Sequence, residues 1–202
     1  SAPGRLLRQV AGLFGQRLTV DAALAVIKHP LVFTGDGAEF GRGQHLILSH
    51  EYELHLRRHG PVFPTAESLG DWAAKSGLAG ATRWAAILGQ TLCGQEGMAD
   101  QPLTGFLTRH LALTEALARG FAETGSGALW EKEAGIKARE AVQGLQDVAD
   151  AGGVMSPGDY ANLFRSVLDK GEVREAEALH PAIMIRGTLE ARVQGADLVI
   201  LG

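Results

Sequence analysis

The sequence predicts a mainly α-helical chain that closes with a short α/β segment. Through residues 1–180, apolar residues recur at helical spacing between N-capping residues and glycine or proline breakers. Over residues 181–202, two short apolar runs flank a short helical pattern, which is the order of a parallel α/β sheet. We therefore expect a helical subdomain over residues 1–180 and a partial α/β segment over residues 181–202.

The first half of the chain holds five helical patterns. Pro3 suits a first helical turn, and Thr19 and Thr65 suit the N-caps of the second and fourth helices. Residues 34–43 contain four glycines and predict a loop. These glycines are weak evidence for nucleotide binding, because the pattern GxxxxGK[ST] does not occur. The predicted helices span residues 3–15, 20–28, 44–58, 66–76 and 81–92.

Three further helices are predicted in the second half. Pro102 starts a long helix whose apolar face continues to Phe121, and a second helix runs from about residue 128 to 149 after a glycine-containing turn. Ser156 and Pro157 form an N-cap and first-turn pair for a third helix, which Gly171 ends. The whole body is therefore predicted to contain seven or eight helices.

Composition excludes several classes of protein. With 202 residues and 46% apolar content, the chain has the composition of a folded globular protein. No apolar run is long enough to span a membrane, so we expect no membrane partner. The single cysteine, Cys93, excludes an internal disulfide and favours a cytoplasmic location. A net charge of −4 argues against a generally nucleic-acid-binding surface but allows a local basic patch.

Four of the seven histidines lie within fifteen residues, on the predicted third helix. His55 and His59 are spaced i, i+4, which places both imidazoles on one helix face, and Glu51 lies one turn earlier as a possible third metal ligand. The alternative, which we favour, is a solvated polar helix face with Arg57 and Arg58 beside it. We therefore predict no metal site.

The remaining reactive groups predict packing or solvated surface, not catalysis. Cys93 has no histidine nearby in sequence, so we expect a small core thiol. The paired carboxylates at residues 131 and 133, and those between residues 172 and 177, lie in charged runs typical of solvent-facing surface. Trp72, Trp84 and Trp130 lie on apolar stripes, which favours core packing over base stacking. No catalytic residue and no cofactor are predicted.

Two arginines are the strongest candidates for ligand contact. Arg186 and Arg192 flank the turn between the first predicted strand and the short helix that follows it. The carboxyl end of a strand in an α/β sheet is where ligands bind, so both side chains have a reason to contact phosphates. The alternative is that they are ordinary surface arginines.

Three stretches of the sequence resemble an internal segment of the AddB subunit of bacterial AddAB helicase–nucleases, most closely the alphaproteobacterial type. They are PGRLLRQVAGLFGQRLTVDAALAVIKHPL near the start, EYELHLRRHGP, and the closing GTLEARVQGADLVILG. The similarity covers both ends and residues 44–64, and it is weaker over the middle helices. In that family the closing stretch continues into a GGLNEGxWP-like segment, so we expect this chain to be a fragment.

The resemblance implies a helicase-insertion-like helical subdomain followed by the edge of a RecA-like α/β sheet. Superfamily 1 helicases carry such an insertion just before a motif reading KGLE, and Gly187, Thr188, Leu189 and Glu190 occupy a similar place here. This chain departs from the motif because Thr188 is an insertion and no lysine precedes Gly187.

What the resemblance implies for function is DNA handling within a double-strand-break repair helicase–nuclease. DNA and an AddA-like helicase subunit would be the partners, and the phosphate loop and nuclease centre would lie outside this chain. The expected DNA-contacting residues are Arg186, Thr188, Glu190 and Arg192. The alternative is a free-standing helical protein–protein interaction module.

Overall fold

The structure, a computed structural model, describes residues 1–170, of which 64% are helical. This part of the chain holds eight α-helices and one two-stranded sheet, so the prediction of a mainly helical fold is confirmed. The predicted α/β segment at 181–202 and the boundary at residue 180 lie outside the described residues. The elements are α1 (Ala2–Ala11), α2 (Val20–Ile27), α3 (Arg42–His59), α4 (Ala66–Ser76), α5 (Ala81–Leu92), β1 (Gln101–Pro102), α6 (Leu103–Arg119), α7 (Lys132–Gln146), a 3-10 turn (Ala149–Gly152), β2 (Val154–Met155) and α8 (Pro157–Lys170).

The predicted capping residues set the helix boundaries. The Thr19 hydroxyl accepts a hydrogen bond from the Ala22 N–H and begins α2. Thr65 and Ser68 form a reciprocal capping box at the start of α4, and Gly77 in the left-handed conformation ends that helix. Local side-chain chemistry therefore decides where these helices start and stop.

Helix α3 begins at Arg42, two residues before the predicted start, and α7 ends at Gln146, three residues before its predicted end. Two further predicted boundaries are wrong by more. Helix α1 ends at Ala11 and not near residue 15, because the chain turns there and the Gly15 N–H donates to the Gln95 carbonyl instead of continuing the helix. Helix α7 begins at Lys132 and not near residue 128, because the Ala128 N–H donates to the Thr34 hydroxyl at 2.8 Å. Both boundaries depend on contacts with residues far away in sequence, which periodicity does not report.

A small antiparallel sheet was not predicted. In it Gln101 lies opposite Met155 and Pro102 lies opposite Val154. Pro102 was predicted to start a helix, and it is both the end of β1 and the N-cap of α6. The Leu103 N–H donates to the Gly153 carbonyl at 3.0 Å, so this pairing fixes the start of α6 beside the segment that leads into α8.

Two hydrophobic clusters form the interior and share helices α1 and α6. The first cluster lies among α2–α5 and contains the fully buried Trp84, Tyr52 and Phe33. The second lies among α7, α8 and the other sides of α1 and α6, around Phe14 and Phe106. Because α1 and α6 contribute side chains to both clusters, these two helices lie between the two halves of the described chain and pack against both.

The glycines of the 34–43 loop allow close packing. A Cβ on Gly35 would lie 2.5 Å from the Arg119 carbonyl oxygen, so only glycine lets the loop approach the end of α6. On the other side of this contact, Gly120 has φ +59°, and a Cβ there would lie 2.5 Å from the Phe33 ring. Gly35 and Gly37 therefore have a steric explanation, whereas a Cβ on Gly41 or Gly43 would meet no atom within 4 Å.

We expect the Gly120→Ala variant to lose about 3 kcal/mol or more of unfolding free energy, since the substitution combines a positive φ with overpacking against Phe33. Urea unfolding measures the loss. Gly70→Ala is the matched control: Gly70 lies in the middle of α4 with no atom within 4 Å of a new Cβ, so this variant should gain about 0.5–1 kcal/mol. Equal stability of the two variants would contradict the packing described here.

Candidate functional site

The C-terminal end of α3 carries three consecutive exposed basic residues. Arg57, Arg58 and His59 form its last turn and are all exposed. The negative end of the helix dipole favours cations at this position. The chain leaves the helix at Gly60, where a Cβ would lie 2.5 Å from the Leu56 Cα. Local sequence therefore both ends the helix and concentrates positive charge there.

One carboxylate is shared between two of the cations in this region. Lys28 donates to Glu53 at 2.7 Å, and Arg57 donates to its other oxygen at 2.7 and 3.1 Å. The Lys28 hydrogen bond, and then the Arg57 hydrogen bond, hold the pKa of the Glu53 carboxyl below its usual range. Arg58 has no ion-pair partner among residues 1–170. Glu53 therefore does not neutralise Arg58.

A groove separates this end of α3 from α4. It has a volume of about 450 Å³ and is lined by His55, Ser68, Asp71, Trp72, Lys75 and Ser76. Burial, with help from the nearby His59 and Lys75, lowers the pKa of His55, so its imidazole is neutral at neutral pH. We call Lys28, Arg57, Arg58, His59 and Lys75 together the basic end of α3. The groove lining itself contains one ammonium group, that of Lys75, and one carboxylate, that of Asp71. The exposed guanidinium groups of Arg57 and Arg58 are suited to contact an anion such as a phosphate.

The histidine cluster seen in the sequence separates into different environments. The His55 and His59 ring centroids lie 6.5 Å apart beside the groove, while His50 is exposed on the other side of the helix. Within residues 1–170, no three His, Cys, Asp or Glu side chains meet in a group that could hold a metal ion. Glu51 therefore does not complete the hypothesised set of ligands.

His45 is a core residue. It is 1% exposed, and its ring stacks on Phe33 at 4.5 Å between centroids. Trp84 donates its indole N–H to Nδ1 at 2.9 Å, so the ring proton is on Nε2, which donates to the Ile27 carbonyl at 3.0 Å. Burial lowers the pKa of His45 to about 4, so the ring is neutral and structural.

The second cluster contains a matching histidine on α6. His110 is fully buried, donates from Nε2 to the Leu7 carbonyl at 2.9 Å, and accepts from the Tyr160 hydroxyl at 2.7 Å. A third histidine, His29, is 3% exposed and accepts the Leu31 N–H at Nδ1. Burial lowers the pKa of both rings to about 4. Their partners are distant in sequence or are backbone groups, so no motif could have found them.

The other candidate groups serve packing. Cys93 packs against the first cluster, and its burial raises the thiol pKa to about 11, which keeps it a thiol. Trp72 and Trp84 are buried, as predicted. Trp130 lies in the turn before α7 and not on a helical stripe; it is half-buried and donates its indole N–H to Glu115 at 2.8 Å.

The acidic runs lie partly outside the described residues. Glu131 and Glu133 are exposed at the start of α7, and Glu133 pairs with Lys137 at 2.9 Å, as expected for a solvated surface. The acidic residues between 172 and 177 lie outside the described chain. So do all of the expected DNA-contacting residues, which are Arg186, Thr188, Glu190 and Arg192.

No family model, curated protein or solved structure matches this chain. None of the helices in the described range has the length and apolar content needed to cross a bilayer.

The three buried histidines predict an acid-sensitive fold. Each has a folded-state pKa of about 4, below the unfolded value of about 6.5. Their contribution to stability is therefore complete above about pH 6.5 and is lost as pH falls toward 4. When the pH falls from about 7.5 to about 5, we expect each buried histidine to lower the free energy of unfolding by about 2 kcal/mol.

Urea unfolding at the two pH values tests this. His110→Gln should be less stable at the higher pH and should show a weaker pH dependence than the wild type. His50→Gln, a change at an exposed histidine, should keep the wild-type dependence. A wild-type protein equally stable at both values would contradict the burial of neutral histidines.

Proposed function

We propose that this chain is a segment of an AddB-like subunit of a DNA double-strand-break repair helicase–nuclease. On this proposal it guides DNA and contacts an AddA-like helicase subunit in the cytoplasm, while bond-breaking chemistry lies elsewhere in the assembly. The observation that carries the proposal is the stretch GTLEARVQGADLVILG, which follows a mainly helical unit as the helicase motif follows its insertion.

The basic end of α3 supports a DNA-handling role. It exposes Arg57 and Arg58 in the last turn of α3, in a chain whose net charge is negative. Arg57 and Arg58 also lie within EYELHLRRHGP, one of the stretches that resembles AddB. Phosphate contacts supply most of the sequence-independent affinity for DNA, so a local cationic surface is sufficient for guiding a strand.

The closing stretch supplies the second set of proposed contacts. Arg186 and Arg192 flank the turn of the proposed RecA-like edge, with Thr188 and Glu190 between them in sequence. Because a phosphate binds at such a turn, we propose that the two arginines contact the DNA backbone. The finer assignment of this segment to a RecA-like sheet is part of the same proposal.

A free-standing protein–protein interaction module is the second candidate. The observation that favours it is a pair of large apolar side chains on α3, Leu46 and Ile47, which are 52% and 53% exposed. Exposed apolar side chains grouped on one helix face mark a protein-binding surface. DNA binding separates the two candidates, because an interaction module is indifferent to DNA even at low salt.

The proposal predicts salt-dependent binding of the whole chain to a fluorescein-labelled duplex with a single-stranded tail. Fluorescence anisotropy should show affinity falling with salt, and removal of each phosphate contact should reduce the slope of log K against log salt by about 0.9. We expect weaker binding for the double variants R57Q/R58Q and R186Q/R192Q.

The control removes the same charge elsewhere. The double variant R139Q/R165Q changes two exposed arginines on α7 and α8, and it should bind like the wild type. If the control loses as much affinity as the test variants, the binding reflects net charge and the proposed surfaces are wrong. No binding at low salt would favour the interaction module.

A further inference from the structure

An open cavity lies between α6 and the loop that connects α5 to β1. It has a volume of about 360 Å³ and is lined by residues 94 and 97–101 of the loop and by Arg109 of α6. Small-molecule sites occupy roughly 300–1,000 Å³, so this cavity has room for a small ligand. It shares no lining residue with the groove between α3 and α4.

A buried glutamine holds Arg109 in place at this cavity. Gln95 is 1% exposed, and its Oε1 accepts the Arg109 Nε–H at 3.0 Å. The Gln95 amide nitrogen donates to the carbonyls of Thr91 and Cys93, so the glutamine is itself fixed. The two terminal NH2 groups of Arg109 have no hydrogen-bond partner within residues 1–170. A guanidinium held at Nε keeps these two groups for the two oxygens of a carboxylate.

The same cavity carries one carboxylate. Asp100 lines it, is exposed, and forms no ion pair with Arg109 or with any other side chain of the described range. The residues that line the cavity include no other charged one. One cation and one anion therefore share the cavity without pairing. The complement of this arrangement is a molecule with one carboxylate and one ammonium group.

The loop adds backbone donors and an apolar side chain. The N–H groups of Gly97 and Ala99 have no hydrogen-bond partner among residues 1–170. A Cβ on Gly97 would meet no atom within 4 Å, so a ligand has room to approach the backbone there. Such N–H groups beside a guanidinium are suited to the remaining lone pairs of a carboxylate. Met98, which packs against the second cluster, supplies apolar surface in the same cavity.

We propose that this cavity binds a free α-amino acid as a zwitterion. The ligand carboxylate accepts hydrogen bonds from the terminal NH2 groups of Arg109 and from backbone N–H groups of the loop, and the ligand ammonium group donates to Asp100. Gln95 is the positioning residue, because it contacts Arg109 and not the ligand. A phosphate uses the same donors but is repelled by the Asp100 carboxylate, so the zwitterion is the better complement.

The first test is ligand binding to the whole chain. We expect at least one standard L-amino acid, each tried at about 10 mM, to raise the melting temperature, since a ligand that binds only the folded state stabilises it. Ligand-observed NMR titration then measures the dissociation constant, which should lie below about 1 mM. The matched carboxylic acid, which lacks the ammonium group, and the matched amine, which lacks the carboxylate, should each bind at least about tenfold more weakly.

Two variants assign the two charges. Arg109→Gln and Asp100→Asn should each weaken binding of the amino acid at least about tenfold. Asp100→Asn should also abolish the preference for the amino acid over the matched carboxylic acid, and Arg109→Gln should abolish the preference for it over the matched amine. A variant that only disturbed the fold would weaken every ligand alike and keep these preferences. Both side chains are exposed, so each variant should melt like the wild type without ligand.

Arg165→Gln and Asp71→Asn are the matched controls, because each removes one exposed charge of the same kind from a residue that does not line this cavity. Both should bind the amino acid like the wild type.

The proposal is overturned if no amino acid binds, if the matched acid or amine binds as tightly as the amino acid, or if the controls lose as much affinity as the test variants. Binding of inorganic phosphate and of no amino acid would indicate a simple anion site and would also overturn it. DNA binding is a separate readout, so failure of this proposal leaves the proposed DNA role to its own test.

Discussion

In each hydrophobic cluster, a neutral histidine joins three helices through its two ring nitrogens. His45 of α3 donates to the last residue of α2 and accepts from Trp84 of α5. His110 of α6 donates to Leu7 of α1 and accepts from Tyr160 of α8. A buried polar group without partners would be costly, so each ring fixes the positions of the helices that satisfy it. Both rings must remain neutral and keep the Nε2–H tautomer for these hydrogen bonds to exist.

Helices α1 and α6 and the contact at Gly35 and Gly120 connect the two hydrophobic clusters. Because α1 and α6 contribute to both clusters, a shift in one half of the described chain displaces side chains in the other. At the end of α6, Gly120 and Gly35 let the 34–43 loop pack without a side chain in the way. The side chains of the two clusters therefore have little room to change position.

Helix α3 connects the interior to both proposed functional surfaces. Its inner side holds His45 and Tyr52 in the first cluster, its last turn presents Arg57 and Arg58, and its outer side exposes Leu46 and Ile47. The described groups whose pKa is most strongly shifted are buried histidines, tyrosines and a cysteine that serve packing.

The sequence by itself determined the helical class and several helix boundaries, because Thr19, Thr65 and Gly77 act through neighbouring backbone groups. It also predicted the solvated helix face beside Arg57 and Arg58. Only the tertiary structure decided the later start of α7, the small sheet, and the separation of the four clustered histidines into core and surface. These features depend on contacts such as Ala128 with Thr34 and His45 with Trp84, whose partners are 94 and 39 residues apart. Periodicity reports which face of a helix is apolar, and it carries no information about what that face will meet.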